Sequence, residues 1–153
     1  MVWAGFSAKG KTTLAILKGN QKATDYVATL SNHLLPFGRR LGGPKWVFQQ
    51  DNASIHTAKD VTKFFKDQNM AVMPWPARSP DLNPIENLWG ILVRCVYFDG
   101  NGSFRQFETV EQLTTTLLAS WDEISTSTCE NLINSMPNRI FQLIKVDGKS
   151  TKY

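Results

Sequence analysis

Two acidic residues, Asp51 and Glu86, lie at positions where a carboxylate could take part in chemistry. Asp51 follows the short apolar run Trp46-Val47-Phe48, at the end of a predicted strand, where an acid is unfavourable unless it faces a cleft. Glu86 lies in the first turn of a predicted helix, where the positive end of the helix dipole favours a negative charge. Because clefts of open α/β sheets lie beyond the carboxyl ends of the strands, we expect Asp51 at such a cleft.

Paired carboxylates of this kind suit a divalent cation. Thirty-four residues separate Asp51 from Glu86, and the helix and strand predicted between them return the chain beside Asp51. Converging carboxylates bind hard cations through oxygen. Two such ions, about 3.5–4 Å apart, stabilise the attacking and leaving oxygens of phosphoryl transfer. The attacking oxygen would be water, giving hydrolysis, or a DNA 3′-hydroxyl, giving strand joining. Two ions normally need a third carboxylate.

Both acids also have purely structural interpretations. Asp51 precedes Asn52, and such a pair is typical of a turn. Glu86 lies three residues after Asn83, the spacing of a capping box at a helix start. Residue types and spacing leave both interpretations open.

The elements that must position these acids are predicted in the order hairpin, helix, strand, helix, strand and three helices. Residues 2–7 and 12–17 form the hairpin, and residues 23–35 form a helix that Pro36 and Gly38 should end. Trp46-Val47-Phe48 is expected to be a buried central strand, followed by a helix and a parallel strand. Pro137 should kink or break the last helix. This order predicts an α/β fold with a mixed sheet and a helical C-terminal layer.

Composition narrows the class of protein. The 153 residues suit one domain, and 42% hydrophobic with 20% charged residues is typical of a soluble globular chain. No apolar run approaches the roughly 18 residues of a membrane span. A formal charge of +4 permits an anionic partner such as nucleic acid without identifying one. Cys95 and Cys129 are interpreted as reduced thiols, and two histidines are too few for a zinc site.

At the acidic residues the sequence resembles the Tc/mariner superfamily of DDE transposases, in its Tc-type branch. The shared motifs are Phe-Gln-Gln-Asp-Asn at 48–52 with His56-Thr57, Trp75-Pro76, and Ser-Pro-Asp-Leu-Asn-Pro-Ile-Glu-Asn-Leu-Trp at 79–89. Mariner proper usually has aspartate where this chain has Glu86. Weaker similarities at residues 2–7 and 135–139 extend the resemblance over nearly the whole chain.

The resemblance implies a ribonuclease-H-like fold and a DDE active site with two Mg²⁺ (or Mn²⁺) ions. Asp51 matches the second acid of the triad and Glu86 the third, so both are expected to be catalytic and to bind metal. The implied activity is cut-and-paste excision and insertion of a transposon, with transposon ends and target DNA as partners. A nuclear location and a homodimer of the complete protein are expected; a membrane or a small-molecule substrate is not.

The chain departs from the family at its start. The family's first catalytic aspartate lies on a strand upstream of the hairpin, whereas Met1 coincides with the hairpin's beginning. The family's helix-turn-helix DNA-binding region is also absent, and Asp25, Asp60 and Asp67 are poor replacements for the first acid. We therefore expect a partial catalytic domain without its first strand: a truncated gene model, a decayed element or a domesticated remnant. The alternative function is an inactive remnant that binds DNA or protein.

Further residues are candidates for DNA contact. His56 either approaches the metal site or the scissile phosphate, or is a loop residue near a helix start. Trp75 and Trp89 are interpreted as core residues and not as platforms for bases. Basic side chains that could meet phosphates, though scattered lysines are usually only solvated, are Lys9, Lys11, Arg39, Arg40, Lys45, Lys59 and Arg78.

Overall fold

The computed structural model describes residues 1–43, 45–77 and 79–148. The chain forms two compact units, unit 1 with residues 1–5 and 12–78 and unit 2 with residues 6–11 and 79–153. Pro44, in a predicted turn, and Arg78, a predicted DNA contact, lie outside the described residues. Every helix in those ranges is too short or too polar to cross a lipid bilayer.

The predicted hairpin is present as two short antiparallel pairs. Strands β1 (Val2–Trp3) and β4 (Ala15–Ile16) pair in unit 1, and β2 (Phe6–Ser7) and β3 (Gly10–Lys11) pair in unit 2. Where the ladder is interrupted, the backbone N–H of Gly5 donates to Oγ1 of Thr12 at 2.9 Å. The prediction of a hairpin over residues 2–17 is thus confirmed.

A strand, a helix and a parallel strand follow in unit 1. Strands β5 (Val47–Phe48) and β6 (Ala71–Val72) are parallel and flank α3 (Lys59–Asp67), as predicted. The predicted burial of β5 is wrong, since Val47 is 52% exposed. Alternate residues of a strand face opposite sides, and the aromatic packing of Phe48 on Phe65 covers only one of them. Within the described ranges the strands form three two-stranded pairs in place of one continuous mixed sheet.

The first long helix continues past its predicted end. It consists of α1 (Ala23–Thr29), a π-helical segment (Leu30–Leu34), α2 (Leu35–Phe37) and a second π-helical segment (Gly38–Gly42). The prediction that Pro36 and Gly38 end the helix is wrong. Pro36 lies in the first turn of α2, where a missing N–H is tolerated.

The core of unit 1 explains why the helix persists. Gly38 and Gly42 have no side chains, so the Trp46 indole packs directly on the helix backbone. A Cβ at Gly38 would overlap that ring. The buried side chains of the core are Tyr26, Leu30, Leu34, Val61 and Phe65.

Replacing Gly38 with alanine is expected to lower the free energy of unfolding by about 1–3 kcal/mol, since the added methyl group would force Trp46 from its place. Urea denaturation measures the change. Gly90 is the matched control, because a Cβ there meets no atom within 4 Å and alanine favours a helix interior. Equal stability of Gly38→Ala and the unaltered protein would contradict the packing described.

Up to residue 148, unit 2 contains a 3₁₀ turn (Pro80–Leu82) and four helices. These are α4 (Ile85–Tyr97), α5 (Val110–Glu123), α6 (Thr126–Asn134) and α7 (Met136–Lys145). Pro137 lies in the first turn of α7, so the predicted break before it is confirmed. Buried side chains on these helices include Leu88, Leu92, Val96 and Trp121, and the Trp89 ring lies 5.7 Å from that of Trp121, as expected of a core residue.

The two cysteines are free thiols, as predicted. Cys95 is half-buried on α4, and Cys129 is fully buried on α6. Burial raises the pKa of the Cys129 thiol, against a smaller opposing effect of the Lys11 charge. The thiol of Cys129 therefore stays protonated at neutral pH.

Candidate active site

The Asp51 carboxylate lies in a short loop after β5. Its Oδ1 atom accepts a hydrogen bond from the backbone N–H of Ala53 at 3.1 Å and lies 2.6 Å from Nδ1 of His56. The turn interpretation of Asp51 is therefore confirmed. The side chain is nevertheless 58% exposed. A carboxylate that forms a turn while remaining open to solvent is still available to bind a ligand.

Two further contacts hold His56: its ring stacks on Tyr26, and its backbone carbonyl accepts a hydrogen bond from Gln50. The two ring centroids lie 4.2 Å apart, with an interplanar angle of 29°. Tyr26 Oη donates to Oε1 of Gln50 at 2.8 Å, and Nε2 of Gln50 donates to the His56 carbonyl at 3.2 Å. His56 is a loop residue near the start of α3, as one interpretation had it, and it also lies beside Asp51.

The hydroxyl group of Tyr26 stays a hydrogen-bond donor to Gln50. Burial raises the pKa of its phenol well above the ordinary value; a hydrogen bond with Trp3 lowers it, and the negative charge of Asp51 raises it further. The phenol is therefore protonated throughout the physiological range, so its bond to Gln50 persists.

Asp51 and His56 line an open cleft of about 390 Å³ in unit 1. The Nδ2 of Asn52 donates to the Trp75 carbonyl at 2.8 Å and ties the Asp51 loop to the segment after β6. Trp75 is half-buried and belongs to the cleft wall. The cleft combines a carboxylate with apolar side chains of α3, of β6 and of the residues that flank β6, namely Phe65, Met70, Val72 and Met73.

Glu86 lies in the first turn of α4, in unit 2. Its backbone N–H donates to the Asn83 carbonyl at 3.1 Å. The helix has no side-chain cap, so the structure does not support a capping box between Asn83 and Glu86. The reason is local: Asn83 ends the 3₁₀ turn, and Pro84 takes the capping position. The Glu86 side chain is exposed and forms no hydrogen bond or ion pair with a described residue.

A buried arginine holds the segment that precedes α4. Arg139, on α7, is 2% exposed. Its Nη1 donates to the Asp81 carbonyl at 2.9 Å, and its Nε donates to Oγ of Ser135 at 2.9 Å. In the sequence, residues 135–139 carry only a weak similarity to the family. The spacing of Ser135 and Arg139, one helical turn apart, is the only signal for this contact in the sequence.

Lys11, one of the predicted DNA contacts, forms hydrogen bonds within the protein. Lys11 Nζ donates to the carbonyls of Asp122 and Ile124, at 3.2 and 2.5 Å, and lies 5.9 Å from the Trp121 ring centre. A cation at the carbonyl end of α5 stabilises that helix, so this lysine is not presented to a phosphate.

The other basic candidates remain on the surface. Arg39 is exposed and donates to Oε1 of Gln68 at 3.2 Å. DNA contact by these side chains stays a prediction. The exposed candidates, with Arg39, are Lys9, Arg40, Lys45 and Lys59.

The structure brings Asp51 and His56 together, while the shared metal site of Asp51 and Glu86 stays a prediction. In residues 1–43, 45–77 and 79–148, no group of three or more His, Cys, Asp or Glu side chains is arranged to hold a metal ion. The available donors at both acids are carboxylate oxygens, which suit Mg²⁺ or Mn²⁺ better than softer metals.

Comparison with known proteins identifies the family. The family model described as DDE superfamily endonuclease matches residues 1–114. The chain is 37% identical to the Tc3 transposase of Caenorhabditis elegans over 153 residues, which is all of this chain and 45% of that protein. The chain spans about half the length of the curated relatives it matches.

Solved structures agree on the fold. The Mos1 transposase paired-end complex with left transposon end superposes with a TM-score of 0.81 at 24% identity, covering 97% of this chain and 43% of that one. The Mos1 catalytic domain with Raltegravir and Mg gives 0.77 at 22% identity, covering 99% and 75%. The expected ribonuclease-H-like α/β fold is therefore confirmed. The family model over residues 1–114 shows that the chain belongs to the DDE superfamily endonucleases.

Proposed function

We propose that this chain is the catalytic part of a transposase that cuts and joins DNA strands with the help of divalent cations. Asp51 and Glu86 are the proposed metal ligands and catalytic acids. The observation that carries the proposal is the geometry of Asp51, whose Oδ1 is held by two contacts while the side chain stays largely exposed in a cleft.

The proposed cofactor is a pair of Mg²⁺ or Mn²⁺ ions. When bound, such ions neutralise charge on the attacking and leaving oxygens of phosphoryl transfer. The contribution of the chain is to present carboxylate oxygens at a fixed place: Asp51 through its loop, Glu86 through the first turn of α4. The family relationship and the Mos1 structures with Mg and Mn support this choice of metal.

The proposed partner is DNA, as transposon ends and as target, bound by a homodimer of the complete protein in the nucleus. The Mos1 complex with a transposon end supports the DNA partner. Phosphates attract the exposed basic side chains such as Arg39 and Lys59, so binding should weaken with added salt. Because a transposon and its target are chromosomal DNA, the protein must reach the nucleus to act.

The test is cleavage of DNA by the protein as expressed from its gene. The substrate is a plasmid that carries the DNA sequences flanking that gene. With Mg²⁺ or Mn²⁺ we expect strand breaks at the ends of the flanking sequences, and none when EDTA removes the cation. Cleavage that persists in EDTA, or DNA binding without cleavage in either metal, would contradict the proposal.

A further inference from the structure

The two oxygens of Asp51 have different surroundings. Oδ1 accepts from the Ala53 backbone and lies against Nδ1 of His56. No described residue forms a hydrogen bond with Oδ2. Because the side chain is largely exposed, this second oxygen is open to a ligand from solvent. The carboxylate is thus oriented before any cation arrives.

We propose that His56 is a positioning residue for Asp51, holding Oδ1 so that Oδ2 faces an incoming divalent cation. An ionised carboxylate only accepts hydrogen bonds, so Nδ1 of His56 carries the proton and donates it at 2.6 Å. Hydrogen bonds to charged acceptors are short and strong. Groups that orient a metal ligand in this way contribute strongly to metal affinity. The inference rests on the proposed function of Asp51 as a metal ligand.

The position of His56 is set by the core of unit 1. Its stacking partner Tyr26 is 3% exposed and belongs to α1. Gln50 joins the two residues, because it accepts from the Tyr26 hydroxyl and donates to the His56 carbonyl. The His56 N–H also closes the loop by donating to the Ala53 carbonyl at 2.8 Å. His56 therefore links the exposed carboxylate of Asp51 to Tyr26 of the core helix α1.

Two substitutions separate the hydrogen bond from the stacking. His56→Phe keeps an aromatic ring against Tyr26 and removes the donor. His56→Asn removes the ring and keeps an N–H near the position of Nδ1. In the full chain, we expect His56→Phe to weaken Mn²⁺ binding by about 10- to 100-fold, measured from the electron paramagnetic resonance signal of free Mn²⁺. We expect His56→Asn to recover most of the affinity.

The matched control is the other histidine of the chain. His33 also pairs through Nδ1, with Oγ1 of Thr13 at 2.7 Å, but it contacts no proposed ligand. His33→Phe should leave Mn²⁺ affinity unchanged. If His56→Phe binds Mn²⁺ like the unaltered chain while His56→Asn binds weakly, stacking and not the hydrogen bond orients Asp51, and the inference is wrong.

A second measurement distinguishes failure of this inference from failure of the proposed function. In the metal-free chain, the Nδ1–H proton of His56 should give a downfield nuclear magnetic resonance signal that disappears in Asp51→Asn. If Asp51→Asn weakens Mn²⁺ binding but His56→Phe does not, only the positioning role fails. If Asp51→Asn binds Mn²⁺ like the unaltered chain, the metal site itself is wrong, and the inference falls with it.

Discussion

Asp51→Asn is expected to lower cation-dependent DNA cleavage by about a thousandfold and to leave the protein folded. The substitution removes the negative charge of a proposed metal ligand, and bound ions supply several kcal/mol of transition-state stabilisation. A loss of about 4 kcal/mol corresponds to that factor in rate. Because the side chain is 58% exposed, no buried packing is lost. Single-turnover cleavage of the flanking DNA sequences, with thermal unfolding measured in parallel, tests both parts.

Glu86→Gln is expected to have a similar effect on cleavage. Glu111 is its matched control, since it is also exposed and also lies in the first turn of a helix, α5. Asp60, exposed in the first turn of α3, is the control for Asp51. Glu111→Gln and Asp60→Asn should cleave normally. Normal cleavage by Asp51→Asn or by Glu86→Gln would refute the assignment of that residue.

The second large effect is expected on stability, at the buried Arg139. Arg139→Ala should lower the free energy of unfolding by about 3 kcal/mol, because it removes a buried side chain and the guanidinium donor of two part-buried acceptors. Those acceptors are the Asp81 carbonyl and Oγ of Ser135. The guanidinium side chain also fills space, being 2% exposed. The loss is measured by urea denaturation of the whole protein, followed by tryptophan fluorescence.

Two comparisons make the Arg139 prediction specific. Lys145→Ala removes an exposed cation from the same helix and should change stability by less than about 0.5 kcal/mol. Arg139→Lys keeps the charge but lacks the planar fork that reaches two acceptors, so an intermediate loss is expected. A loss as small for Arg139→Ala as for Lys145→Ala would show that the buried hydrogen bonds contribute nothing measurable.

Predictions that depend on local chemistry agreed well with the structure. The hairpin over residues 2–17, the strand at Val47–Phe48 and the break before Pro137 all follow from patterns within a few residues. The helix over residues 23–35 was recognised, but its end was not. Pro36 is a strong stop signal by itself, and only packing of Trp46, ten residues later, on Gly38 and Gly42 explains the longer helix.

The acidic residues themselves were evident from sequence, but their surroundings were not. Asp51 follows an apolar strand and Glu86 lies in the first turn of a helix. Both positions can be recognised from the sequence, because charge and hydrophobic periodicity are properties of neighbouring residues. The start of α4 differs from the prediction, because the 3₁₀ turn before it places Pro84 and not Asn83 at the capping position. The burial of Arg139 could not be predicted from its residue type, since arginines are usually exposed.

The sequence by itself determined the family, the order of the elements and the identity of the two acids, because motifs and hydrophobic periods are carried by neighbouring residues. Only the tertiary structure decided that His56 holds Asp51, that Tyr26 holds His56, and that Lys11 serves a helix end. These contacts join residues up to 113 positions apart. They exist because folding brings distant side chains within hydrogen-bonding distance, and no local pattern encodes that proximity.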